Sequence, residues 1–145
     1  MLVLVLHGPN LNLLGDRQPE IYGRQTLAEI DALIERTAAE LRVEVHCEQH
    51  NGEGSLIDAL HAARGRYDGV VINPGAYAHY SYAIADAIAA IGVPVVEVHL
   101  SHLAAREEFR RTSVTAAACR GSITGLGADS YALALRALAM LQENR

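Results

Sequence analysis

Two pairs of residues in this chain have the types and the spacing to move protons. Glu97 and His99 stand two apart among Val95, Val96 and Val98, so on a strand both side chains leave one face. A carboxylate so placed orients an imidazole and holds its tautomer, the arrangement of a general acid; the plain alternative is an ordinary charged pair at a strand end. Arg17 and Tyr22 stand five apart in a segment that contains Pro19 and Gly23 and shows neither helical nor strand periodicity. That segment reads as a loop in which both side chains are free to converge, and a mobile lid is its simplest description. A tyrosine is a poor base at neutral pH, but a guanidinium in contact favours the phenolate. Alone, the tyrosine would be a packed ring and the arginine a solvated cation.

Further polar residues cluster where apolar runs stop. Asn10 follows His7-Gly8-Pro9, Asn73 precedes Pro74-Gly75, and His79 lies six residues on. Asn73 and His79 also fit a turn residue and a helix cap. Ser101 follows Leu100 just past the Glu97–His99 pair, and His102 falls in the next turn, where a surface histidine is the reading. Arg106 and Arg110 are four apart. On one helix they share a face and repel unless an anion sits between them; Glu107, Glu108 and a substrate carboxylate are the candidates.

Elements able to position these residues follow from the apolar pattern. Leu2 to Leu6 alternates leucine and valine, which suits a central parallel strand covered on both faces. Thr26 to Leu41 carries Leu27, Ile30, Ile34, Ala38 and Leu41 at helical spacing, with Thr26 and Glu29 as a capping box. Val43 to Cys47 reads as a strand, and Ser55 as the cap of a helix running to about Arg64. Val70 to Ile72 is a buried strand, a helix begins near Ser81 and ends at Gly92, and Val93 to Val98 is the fourth strand. Ala104 to Arg111 reads as a short charged helix, Thr115 to Ile123 as a weak strand, and Ser130 to Leu141 as a helix capped by Asp129 or Ser130. Five such βα units predict an α/β fold: a flavodoxin-like, doubly wound parallel sheet of order 2-1-3-4-5. Ligands bind such sheets outside the carboxyl ends of the strands at the switch point, where the stops after strands one, three and four would meet.

Composition narrows the chemistry. The 145 residues, half of them hydrophobic, suit one catalytic domain spanning 1–145. No apolar run reaches the ~20 residues of a membrane span and no basic region precedes the first strand, so neither membrane nor signal peptide is expected and the cytoplasm is the default. A net charge of −5 with scattered arginines argues against nucleic acid as a partner. All twelve basic residues are arginine, and without lysine neither a Schiff base nor a P-loop is available. Cys47 and Cys119, placed on strands two and five at opposite sheet edges, are too far apart for a disulfide. Gly125-Leu126-Gly127 is a weak dinucleotide signal at the wrong end of the chain.

In order along the chain stand HGPNLNLLG, R-x-P-x-x-Y-G at Arg17 to Gly23, NPGAYAH at Asn73 to His79, EVHLS at Glu97 to Ser101 and AREEFRR at Ala105 to Arg111. In these motifs the chain resembles the type II 3-dehydroquinate dehydratases over essentially its whole length. Gln18 departs from the pattern, which usually has an acidic residue beside the loop arginine. The resemblance implies reversible dehydration of 3-dehydroquinate to 3-dehydroshikimate, by anti elimination through an enolate, in the shikimate pathway or quinate catabolism. It makes Tyr22 the base, Arg17 its activator, Asn10 the holder of a water against the enolate oxygen, and His99, steered by Glu97, the acid. Asn73, Ser101 and the backbone of Leu100 and Ser101 would take the substrate carboxylate, and His79 and Arg110 the ring hydroxyls. Asp86 would reach a neighbouring subunit's site in a homododecamer built of trimers. The resemblance implies no metal and no organic cofactor. A metal-dependent hydrolase with Glu97, His99 and His102 as ligands, and a non-enzymatic flavodoxin-like binding domain, are the alternative readings.

The missing lysine generates a direct test. Borohydride added with 3-dehydroquinate should leave activity intact after the reagent is removed, because no imine forms; substrate-dependent inactivation would overturn the enolate route.

Overall fold

A computed structural model describes residues 1–144 and contains a five-stranded, all-parallel sheet of order β2-β1-β3-β4-β5. The strands are β1 (Leu2–His7), β2 (Glu44–Gln49), β3 (Gly69–Asn73), β4 (Val95–His99) and β5 (Gly121–Thr124). β3 and β4 are buried at every position, as parallel strands covered on both faces should be. The expected strand order holds.

The helices are α1 (Pro19–Tyr22), α2 (Leu27–Leu41), α3 (Glu53–Ala63), α4 (Tyr82–Ile91) and α5 (Asp129–Glu143). Alternation along the strands splits the core into two layers. Val3, Val5, Val71, Val96 and Val98 meet Ile30 and Ile34 of α2 and Leu135 and Leu138 of α5. Leu4, Leu6, Val70, Ile72 and Val95 meet Leu56 and Leu60 of α3 and Ile84 and Ile88 of α4. Thr26 and Glu29 form the predicted capping box, and Ser81 caps α4 through the Ile84 N–H. Among the described residues no helix is long and apolar enough to cross a membrane.

Five expectations need correction. Arg17 and Tyr22 do not flank an irregular loop: Gln18 takes a left-handed conformation (φ 35°), Pro19 opens the helical turn α1, and the Gln18 carbonyl accepts the N–H groups of Ile21 and Tyr22. Ser55 does not cap α3, which begins two residues earlier after Gly52. Neither Asp129 nor Ser130 caps α5; Ser130 is buried and its hydroxyl donates instead to the His99 carbonyl. The segment from Ala104 is two 3-10 turns, Leu103–Ala105 and Glu108–Arg111, and a third at Ala116–Ala118 stands where a strand was expected, so β5 begins only at Gly121. Cys119 therefore lies ahead of β5 rather than on it, and both thiols are free.

Gly8 locks the ends of β1 and β3 together. Its N–H donates to the Asn73 carbonyl at 2.7 Å, and a Cβ there would lie 2.5 Å from that oxygen and 2.8 Å from the Pro74 carbonyl carbon. Gly8→Ala must push the two strand ends apart, whereas Gly54→Ala adds a methyl to open space on α3. Thermal melts should show Gly8→Ala losing on the order of 2 kcal/mol or more, and Gly54→Ala unchanged or slightly stabilised. Equal melting temperatures would refute the lock.

Candidate active site

One pocket forms at the carboxyl ends of β1, β3 and β4. Its lining includes Asn10, Arg17, Tyr22, Asn73, His79, His99, Leu100, Ser101 and Arg110. Every residue to which the resemblance gives a role, except Glu97 and Asp86, thus reaches one cavity, and Glu97 is bonded to His99.

The β4 pair is joined as its spacing predicts. The buried His99 donates from Nε2 to Glu97 Oε2 at 3.0 Å, leaving Nδ1 for the pocket. Glu97, 1% exposed, also accepts the Ser113 hydroxyl at 2.7 Å and the Thr115 hydroxyl. Burial alone would push its pKa up, but hydrogen bonds from His99, Thr115 and Ser113 prevail and hold it below the ordinary value. His79 stacks beside His99 with ring centroids 6.2 Å apart and donates Nδ1–H to the Thr112 carbonyl. Burial lowers the His79 pKa, and the positive charges of His99 and Arg110 act in the same direction.

Across the pocket, Tyr22 is gripped twice. Arg17 Nη2 donates to its hydroxyl at 3.2 Å with the guanidinium 4.4 Å over the ring. Arg106 Nη1 donates to the same hydroxyl at 2.9 Å and to Ser101 Oγ at 3.2 Å. The contact of Arg106 with Tyr22 is the one that sequence reasoning missed. The helical reading paired it with Arg110, but the backbone at Arg106 is extended (φ −101°, ψ −163°), which separates the two side chains. Glu107 supplies the anion expected near them, 2.7 Å from Arg110 Nε and 3.8 Å from Arg106 Nε.

Asn10 reaches the pocket from a left-handed conformation (φ 68°), a cost tolerated where a side chain must be aimed. Its backbone N–H is held by Asn51 Oδ1 at 3.0 Å, and Gln49 ties Gly8 and Asn51 together. The carbonyl side of Asn73 accepts the Gly75 N–H at 3.1 Å.

A family model described as dehydroquinase class II matches residues 1–139. The chain belongs to the class II dehydroquinase family. It is 55% identical to the 3-dehydroquinate dehydratase of Pelotomaculum thermopropionicum, across 97% of this chain and 98% of that one. It is likewise 55% identical to the 3-dehydroquinate dehydratase of Bacillus subtilis, across 93% of this chain and 91% of the relative. The crystal structure of the type II dehydroquinase from Butyrivibrio crossotus superposes with a TM-score of 0.93 at 45% identity, covering 95% of this chain and 97% of that one.

In this dehydroquinase fold Asp86 is exposed on α4, outside the pocket of its own chain. The metallohydrolase reading loses its ligand set. Glu97 and His99 are bonded to each other and His102 is exposed, while among the described residues ligand-type atoms converge within 4.8 Å at His7, Asp31 and Cys47 instead.

The depressed Glu97 carboxyl makes stability depend on acid. Its folded-state pKa lies below the ordinary 4.5, so its contribution is complete at neutral pH and is lost as pH falls through 4.5 toward the folded value. Glu97→Gln should flatten that part of the acid-unfolding curve and lower stability at pH 7. An acid limb identical to wild type would remove the charge from this role.

Proposed function

We propose that this class II dehydroquinase removes water from 3-dehydroquinate to give 3-dehydroshikimate, reversibly, by anti elimination through an enolate. The observation that carries the reading is the opposition across one pocket of a tyrosine hydroxyl held by two guanidiniums and an imidazole held by a buried carboxylate. An elimination needs a base and an acid at separated points, and these are the two. The 3-dehydroquinate dehydratase names of the relatives point to the same step.

Tyr22 takes the proton alpha to the ketone. Arg17 and Arg106 stabilise the negative charge a base must carry and the charge that passes to the substrate. Asn10 holds a water against the enolate oxygen, so the enolate is met by a neutral hydrogen bond. His99, oriented by Glu97, delivers a proton from its Nδ1 side to the departing hydroxyl. Asn73, Ser101 and the backbone of Leu100 and Ser101 hold the substrate carboxylate, and His79 and Arg110 hold the ring hydroxyls. No step calls for a metal or organic cofactor. We read 1–145 as one catalytic domain and the assembly as a cytoplasmic dodecamer of trimers in which Asp86 approaches a neighbour's site. The step serves aromatic biosynthesis or, run in reverse, quinate catabolism.

Purified protein given 3-dehydroquinate should generate the ultraviolet absorbance of a conjugated enone. In deuterated solvent, His99→Ala should still exchange the alpha proton while dehydration drops on the order of 10²-fold or more; Tyr22→Phe should lose both. Equal loss of exchange in the two variants would refute separate acid and base roles, and a silent wild type would refute the function.

A further inference from the structure

Behind the pocket, on the α2 and α5 side of the sheet, lies a set of polar groups that the proposed chemistry does not use. His7 and Asn73 are register partners on β1 and β3. Above them Tyr131, from the first turn of α5, is 1% exposed. The Tyr131 hydroxyl lies 2.9 Å from His7 Nδ1, and His7 Nε2 lies 2.8 Å from Asp31 Oδ1 on α2. The Asn73 side chain is the next polar neighbour of the Tyr131 hydroxyl, and it works against the rise in pKa that burial causes there. Asp31, His7 and Tyr131 are thus joined by hydrogen bonds, with Asn73 next in line, amid Val3, Val5, Val71 and Leu135.

The donors run one way along this chain. Asn73 Oδ1 is occupied by the Gly75 N–H, which leaves Nδ2–H as the group turned to Tyr131. A phenol that accepts that N–H has its own proton left to give, and His7 Nδ1 takes it. His7 then carries its proton on Nε2 and donates it to Asp31, an acceptor only. The opposite sense would set a bare Nε2 against a carboxylate. Asp31 therefore sets the direction, and the last link decides which atoms of the Asn73 amide face the cavity. Burying such a chain in an apolar layer is costly unless every member is satisfied, and here each has a partner.

We propose that Asp31, His7 and Tyr131 are positioning residues that fix the Asn73 amide, presenting its remaining N–H to a bound carboxylate. This rests on the reading above that Asn73 holds the substrate carboxylate. It also accounts for the convergence of His7, Asp31 and Cys47 within 4.8 Å: the cluster is the anchored end of the chain.

The test separates binding from turnover. Tyr131→Phe keeps the ring and removes the hydroxyl that bonds His7 and neighbours Asn73; Asp31→Ala acts at a side chain 31% exposed, three links from the pocket residue. Each should raise KM for 3-dehydroquinate about tenfold, the scale of one hydrogen bond lost, with kcat changed less than about threefold. Asp31→Asn retains an acceptor oxygen and should recover most of the loss. A merely structural chain would lower the melting temperature and leave KM alone, and that result, or a fall in kcat at unchanged KM, overturns the proposal. A second readout does not need catalysis: the Asn73 side-chain amide protons, followed by nitrogen-15 NMR, should exchange with solvent faster in both variants than in wild type. Faster exchange in a protein that fails to dehydrate 3-dehydroquinate would sink the functional reading and keep the positioning; unchanged exchange would sink the positioning alone.

Discussion

A buried carboxylate at the end of β4 is the constraint around which the rest of this protein is arranged. Removing a charge from water costs several kcal/mol even after relaxation, and Glu97 is 1% exposed. It must be met by donors on every side. His99 supplies one from its own strand, while Ser113 and Thr115 must come from elsewhere in the chain. To bring those hydroxyls in, the segment ahead of β5 leaves strand geometry, with Ser113 tied back to the Ala116 N–H and the Val114 N–H to the Ala78 carbonyl. The short, late β5 is thus a consequence of satisfying Glu97. Holding Glu97 charged in turn holds the imidazole that faces the pocket.

The opposite wall obeys the reverse logic, an accumulation of positive charge without full compensation. Arg17 and Arg106 both bond the Tyr22 hydroxyl although 89 residues separate them, and Arg110 lines the same pocket. Glu107 is the nearest carboxylate and is largely in solvent, where it neutralises Arg110 better than Arg106. A phenol gripped by two guanidiniums is poised for negative charge, and a pocket of this sign favours an anionic substrate. The acid wall and the base wall therefore differ in how their charges are met: complete, buried and rigid at Glu97, incomplete and half-exposed at Tyr22. Proton donation needs a fixed direction, whereas proton removal needs somewhere for charge to develop.

How far this was legible in the sequence depended on whether the governing interaction was local. Helix spacing, the Thr26–Glu29 box and the apolar strand runs are local, and they placed the sheet order and every pocket residue that ends a strand. The Glu97–His99 bond follows from a period of two. Three of the failures came from long-range demands. Arg106 shows helical spacing to Arg110, yet it is drawn out by a hydroxyl on α1. Thr115 reads as a strand residue and is pulled away to a carboxylate. Ser130 reads as a cap, but its hydroxyl holds the His99 carbonyl. At α1 the local signal was present and misread, because Pro19 after a left-handed Gln18 opens a turn as readily as it breaks one.

The doubly wound topology explains why so many buried polar groups can be tolerated. Odd and even positions of each strand face different helix layers, so His7 and Asn73 lie under α2 and α5 while Glu97 and His99 face the other side. The two polar sets never compete for the same donors. Each is sealed by its own apolar layer and emerges only at the carboxyl edge, where Gly8 brings β1 and β3 within a 2.7 Å hydrogen bond. A pocket at that edge can be served from both faces at once: one side orients a proton donor, the other an amide. Neither arrangement requires the pocket itself to be rigid, and α1, which carries Tyr22, has no fully buried residue. Rigidity is built into the floor, and the wall that carries the base is packed less deeply and is held by its two arginines.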